Sequence, residues 1–131
     1  MAVQFGMATQ ISAAPDLRRD APRAPQRRLG GLAVAARVLD KCRAELAGTN
    51  GEYHYNCPVD RLFFGASGLK ADAFSAMVAT GADDAAAAAW IRREAKAGTI
   101  QRSLWNVLAT VYPGFLLMNL DDWMHARRAR G

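Results

Sequence analysis

Residue types able to do chemistry are concentrated in one stretch, Gly51-Glu52-Tyr53-His54-Tyr55-Asn56-Cys57-Pro58-Val59-Asp60. Three chemistries fit it. In the first, Cys57 sits at or just before a helix N-terminus, a setting that favours a thiolate nucleophile. His54 would be its base, oriented by Glu52 or Asp60. No oxyanion or substrate motif accompanies that pair, and the His-to-Cys spacing matches no nucleophile signature, so no catalytic residue is assigned. In the second, Cys42, His54, Cys57 and His125 would ligate a metal. Their spacings match no zinc template, so neither a metal nor a cofactor is assigned. In the third, Tyr53, His54, Asn56 and Asp60 present hydroxyl, imidazole and amide groups beside a helix N-terminus, whose free N–H groups favour anions. Asp40 and Lys41 from the preceding helix would line the same cavity. The candidate ligand-binding set is therefore Tyr53, His54, Asn56, Cys57, Asp60, Asp40 and Lys41. The competing reading is structural: polar loop residues are normally consumed by caps and backbone groups.

The elements that must position this stretch are helices. Gly30-Gly31 opens a helix over about Leu32 to Ala47, with Leu32, Ala35, Leu39, Cys42 and Leu46 on one apolar stripe. Gly48 stops it. Asp40, between Arg37 and Arg43 at helical spacing, is either a surface ion-pair partner or a carboxylate aimed at the site. Glu52 to Asn56 is too short for a helix and reads as extended, with Tyr53 and Tyr55 on one side. Pro58 fits the first position of a short helix carrying Leu62, Phe63 and Phe64. Asp60 suits that helix's first turn. A helix over about Ala71 to Thr80 buries Phe74, Met77 and Val78. Asp83 caps another, about Asp84 to Ala97. A further helix, about Ile100 to Tyr112, carries an apolar stripe of Ile100, Leu104, Leu108 and Val111. Pro113-Gly114 breaks the chain. The run Phe115 to Leu120 has no decisive periodicity, and Asp121-Asp122-Trp123 starts a last helical turn. Trp90, Trp105 and Trp123 are read as core, with Trp123 also able to roof a site.

Ahead of these elements, Met1 to Ala14 lacks periodicity and the basic-then-apolar pattern of a secretory signal. Residues 1–15 are expected to be a disordered tail. Residues 16–29, with Pro15, Pro22 and Pro25, form an extended arm that Leu17 would anchor. The domain runs over 16–125, and 126–131 is a basic tail. The chain has 131 residues and a net charge of +5. Residues 29–120 contribute only +1 of this, from nine basic and eight acidic groups. A nucleic-acid-binding body carries its own basic face, so nucleic acid is expected only as a non-specific contact of the flanks. No window reaches the roughly 18 apolar residues of a membrane span. Two cysteines make no disulfide framework. A soluble, cytoplasmic protein with reduced thiols is expected.

Several pieces resemble one bacterial family, domain-of-unknown-function family 5069. They are Asp16-Leu17 with Pro22-Arg23, Leu29-Gly30-Gly31, Leu39-Asp40-Lys41 with Arg43-Ala44, Leu46-Ala47-Gly48, the ten-residue stretch, Gly68-Leu69 and Trp90-Ile91. Leu120-Asp121-Asp122-Trp123 is similar to its closing segment. Lys70 departs from it, standing where a helix-capping aspartate is expected. The resemblance implies a small helical domain and nothing firmer, the family's activity being uncharacterised.

The expected fold is all-α: a single compact domain of five to six short helices with one irregular loop at about 49–57. The expected function is a non-catalytic binding or protein-interaction module acting on a small ligand or a protein partner. The alternative is a ligand-binding or enzymatic protein that uses Tyr53 to Asp60. The two differ in a visible way. An enzyme site leaves the motif's polar atoms facing an open cavity. An interaction module consumes them internally and exposes an apolar helix face.

Overall fold

The computed structural model describes residues 14–130. The tail expected over 1–15 lies outside them except for Ala14 and Pro15. The fold is all-α, with one small addition that the sequence does not announce. Arg28–Leu29 (β1) and Leu32–Ala33 (β2) form a two-stranded antiparallel hairpin, Arg28 opposite Ala33 and Leu29 opposite Leu32. Gly30 and Gly31 are its loop, at φ +62° and +80°. Two left-handed residues in a two-residue loop match the twist of paired strands. Gly30 also lies against the helix that carries Ile91, where a Cβ would come within 2.7 Å of Ile91 Cγ2.

The first helix, Ala35–Ala47 (α1), therefore starts three residues later than the apolar pattern predicts. Leu32 and Ala33 belong to β2 instead. Val34 takes φ +74° just ahead of α1, an uncommon conformation for a β-branched residue. Its side chain is fully buried and its N–H donates to Pro25 O at 2.7 Å, which hold it there. α1 is the central element. Val38, Leu39 and Cys42 face the core, while Leu46 of the expected stripe is 39% exposed. Arg37, Asp40 and Lys41 are also buried. Gly48 ends the helix at φ +76°.

Pro58–Ser67 (α2) begins at the proline and packs Phe63 and Phe64 inward. Ala71–Ala79 (α3) buries Phe74, Met77 and Val78 as its spacing predicts. Lys70 precedes α3 without a side-chain cap. Asp83 caps Asp84–Glu94 (α4), accepting from Ala86 N at 2.8 Å. Phe63, Phe64, Phe74 and Trp105 join in a chain of aromatic contacts, with centroid spacings from 5.3 to 6.4 Å.

The last third corrects the sequence reading twice. In Thr99–Val111 (α5) the predicted stripe points outward: Ile100, Leu104, Leu108 and Val111 are 46–77% exposed. The buried face is Trp105, Asn106 and Ala109. Hydrogen bonding decides this. Trp105 Nε1 donates to Ala33 O at 2.8 Å. Asn106 accepts from Ala33 N at 2.7 Å and donates to Gly31 O at 2.9 Å. These bonds satisfy the free edge of the hairpin, which leucines could not do. Pro113-Gly114 does not break the chain into irregular structure. Pro113–Arg130 (α6) is one helix, with Pro113 at its first position. Tyr112 alone joins α5 to α6. Residues 126–130, read as a tail, are its last turn and a half. Trp105 is buried as expected; Trp90 is half-buried and Trp123 is 56% exposed, with Arg127 over its ring.

The arm is pinned along α1. Leu17 is fully buried and its N–H donates to Thr49 O at 2.8 Å. Among the described residues no helix is long and apolar enough to cross a membrane.

Candidate functional site

The stretch 51–57 is not extended. It contains turns at Gly51–Glu52 and Tyr55–Asn56, and Asn56 sits at φ +61°. The two tyrosines consequently part company. Tyr55 enters the core against Phe64 and Phe74 and donates to Ala71 O at 2.7 Å. Tyr53 turns to α6, donating to Asp122 Oδ1 at 3.0 Å and meeting the edge of His125 at 5.0 Å.

Four charged residues of α1 fan out from this centre, each to a different set of elements. Arg37 makes a two-pronged contact with Asp122 of α6, at 2.6 and 3.0 Å. Asp40 accepts the backbone N–H and guanidinium of Arg23 in the arm, at 2.8 to 3.2 Å. Lys41 Nζ donates to Asp60 Oδ1 of α2 at 2.8 Å and to Cys57 Sγ at 3.2 Å. Arg43 reaches Asp84 of α4 at 2.9 Å and Ala82 O at 2.9 Å. Asp84 in turn bridges to Arg23 at 2.7 Å. The hydrogen bond from Arg23 holds the Asp84 carboxyl below its ordinary pKa; burial opposes it, and the bond from Arg43 adds to the lowering. Burial opposes the charge of Arg23, but its bonds to Asp40 and Asp84 outweigh that and raise its pKa. Asp60 also accepts Asn56 N at 2.9 Å. It thereby closes the loop onto the start of α2, a helix whose N-cap Cys57 makes no side-chain cap.

One open cleft of about 320 Å³ adjoins this network. α1 contributes Arg37 and Lys41; the loop contributes Glu52, Tyr53, His54 and Cys57; α6 contributes Met118, Asp121, His125 and Arg128. Of the expected ligand set, Lys41, Tyr53, His54 and Cys57 line it. Asp40, Asn56 and Asp60 do not. Asp40 is turned to the arm, and Asp60 is fully buried beneath Lys41. Sequence reading missed Arg37 and the whole contribution of α6 except His125, which it had placed in a metal set. The available signal was helical spacing from Pro113: Phe115, Met118, Asp122 and His125 fall on one face, putting a carboxylate in an apolar stripe.

His125 Nε2 lies 3.0 Å from Leu17 O, so that nitrogen carries the proton and donates. Its Nδ1 lies 3.7 Å from the exposed Glu52 carboxylate. Arg37 Nε is buried at the cleft wall with no hydrogen-bond partner. Among the described residues no three His, Cys, Asp or Glu side chains converge as a metal cluster. Cys42 lies in the core instead of beside His54 and His125. Both cysteines are free.

Burial, reinforced by the Asp122 charge and hydrogen bond, raises the Tyr53 pKa above its ordinary value of 10.0. Burial also raises Tyr55, and pushes the Cys42 thiol up to about 12 from 9.0. Each group binds its proton more tightly when folded. The stability it contributes is complete below its unfolded pKa and is lost as pH rises through the folded one. The melting temperature should therefore start to fall above pH 9 as unfolded Cys42 ionises, and fall faster above pH 10. A melting series against pH, with tyrosinate absorbance followed in parallel, checks this. A double Tyr53→Phe, Tyr55→Phe variant should show a shallower decline above pH 10. An equal decline would contradict the assignment.

No curated protein matches the chain. The family model described as "Domain of unknown function (DUF5069)" matches residues 19–110. That span covers most of the arm, the hairpin, α1 to α4 and nearly all of α5. It thus includes Arg37, Lys41, Glu52, Tyr53, His54 and Cys57 of the cleft wall but stops short of α6. With most of its length matched, the chain belongs to the DUF5069 family of domains of unknown function.

Proposed function

We propose that the protein is a non-catalytic docking module that receives a protein partner on the outward apolar face of its last two helices. One observation carries the reading: α5 is apolar on both sides. Its inner face is consumed by the hairpin and core, yet Ile100, Leu104, Val107 and Val111 on the opposite side are 58–77% exposed. A helix that packs one face on its own core and turns a second apolar stripe outward is suited to lie between two packed surfaces. α6 repeats the pattern, with Leu117 and Leu120 exposed opposite Phe115. Apolar patches beyond a few hundred Å² mark interaction sites on soluble proteins. The ten-residue motif supports the same reading, because Tyr53, Tyr55 and Asp60 spend their polar atoms on internal bonds. At dilutions where the chain is monomeric, it should enhance the fluorescence of an anilinonaphthalene sulfonate dye. Leu104→Glu should abolish the enhancement while far-UV circular dichroism stays unchanged. A wild-type monomer without Leu104-dependent dye binding would sink the reading.

A second reading is favoured by the lining of the cleft, where Arg37, Lys41 and Arg128 stand beside Tyr53, His54 and Cys57. Here the cleft holds a small anionic ligand. Phosphate and small dicarboxylates should raise the melting temperature of wild type. A response of the same size in Tyr53→Phe, His54→Ala would remove this site.

A further inference from the structure

Ile100, Leu104, Val107 and Val111 are spaced four, three and four residues apart along α5. That spacing is its own mirror. A two-fold axis between Leu104 and Val107 sets Ile100 of one helix against Val111 of another, and Leu104 against Val107. Each match places a longer side chain opposite a shorter one, which lets two helix surfaces interdigitate. Four-and-three spacing is also that of helix pairs packed at a shallow angle.

Charge permits the same approach. α5 has one charged residue, Arg102. Its guanidinium turns back to the carbonyls of Ala97 at 2.8 Å and Ala95 at 3.4 Å. The outer stripe therefore carries neither sign, and two copies meet without repulsion between like charges. An acidic or basic partner would find no complement there.

Leu117 and Leu120 of α6, 64% and 52% exposed, add to the 58–77% exposed stripe of α5, and a contact centred on α5 needs such a margin to approach the roughly 800 Å² that each partner brings to a standard interface. An isologous contact uses the same patch on both subunits, as the commonest oligomers do.

We infer that the occupant of this face is a second copy of the chain, seated antiparallel on α5 about a two-fold axis. The inference rests on the docking reading above and adds the identity and orientation of the partner. In the dimer, Leu104 of each copy packs on Val107 of the other, and Ile100 on Val111, on both sides of the axis.

Sedimentation of the full chain across a concentration series tests it. Wild type should reach twice the monomer mass by roughly 100 µM, where a dimer of micromolar Kd is well populated. Leu104→Glu alone and Val107→Lys alone should each remain monomeric, with native circular dichroism. Ala85→Glu, on the exposed start of α4, should dimerise like wild type. Mixing the Leu104→Glu and Val107→Lys chains should restore the dimer, because the antiparallel match sets the introduced carboxylate of one chain against the introduced ammonium of the other. A wild type that stays monomeric overturns the inference. If that monomer still shows Leu104-dependent dye binding, the docking reading survives and only the second copy is refuted; without dye binding both fall. A dimer that persists in Leu104→Glu also overturns it, as does a mixture of the two variants that fails to associate.

Discussion

Replacing Lys41 by methionine should cost about 3–5 kcal/mol of unfolding free energy, the range expected when one partner of a buried ion pair is removed. Lys41 and Asp60 have side chains only 5% and 1% exposed. Asp60 keeps one other bond, from Asn56 N at 2.9 Å. After the substitution its second oxygen has no donor, and the carboxylate must either stay charged without a counter-ion or take up a proton. Methionine preserves the length of the lysine stem, so the loss reports the charge and not a cavity. A domain's whole stability is about 5–15 kcal/mol, so the variant should be close to unfolding in dilute urea. Adding Asp60→Asn should recover part of the loss, because the uncompensated charge is gone. The comparison is Arg18→Ala, which removes an exposed pair with Asp16 that water screens; it should leave stability essentially unchanged. Urea denaturation of the four proteins gives the numbers. A Lys41→Met loss no larger than that of Arg18→Ala would mean the pair is not buried as described.

How much of this was legible in the sequence depends on the range of the interaction concerned. Local signals read well. Pro58 starts α2, Asp83 caps α4, Gly48 ends α1, and the Phe74, Met77, Val78 spacing gives the inner face of α3. These depend on residues within one or two turns. The hairpin was not legible, since two-residue strands have no periodicity and their partner, Asn106, lies 73 residues from Ala33. The facing of α5 failed for the same reason. Hydrophobic periodicity finds an apolar stripe, but on a helix with two apolar sides it cannot say which one meets the core. Leu104 and Leu108 look more core-like than Asn106 until the hairpin edge is in place. Of the candidate residues, Tyr53, His54 and Cys57 from the chemically dense stretch and Lys41 from the preceding helix line the cleft. Asp40 of that helix serves the arm instead, and Asn56 and Asp60 close the start of α2. Arg37 and Asp122, 85 residues apart, are linked only by the fold.

That last pair is where the second large loss is expected. Asp122→Ala should cost about 3 kcal/mol or more, again as a broken buried pair. Asp122 accepts both terminal nitrogens of Arg37 and the hydroxyl of Tyr53. Arg37 is buried and its Nε already lacks a partner, so the variant would leave the guanidinium with only the Arg23 carbonyl, 3.4 Å from Nη1. Tyr53→Phe removes one donor and leaves the ion pair, so it should cost about 1 kcal/mol. The position of the damage is also specified. Phe115 packs on Trp105 and Tyr112 at the start of α6 and is untouched by the change. Beyond it, the second half of α6 is held to α1 and the motif loop by Asp122, and to the arm by Asn119 on Gln26, His125 on Leu17 O and the exposed pair of Arg130 with Asp20. Hydrogen exchange should therefore lose protection over residues 118–130 and keep it through α5. Asp122→Ala should also cancel any ligand response of the cleft, because four of the cleft's residues ride on that half-helix. Equal losses in Asp122→Ala and Tyr53→Phe would show that Arg37 does not depend on this carboxylate. Uniform exchange along α6 would show that the helix is held elsewhere. If both expectations hold, one carboxylate near the end of the chain both fastens α6 and forms the cleft, and binding there would stabilise the same contact that keeps the outer face of α6 in place.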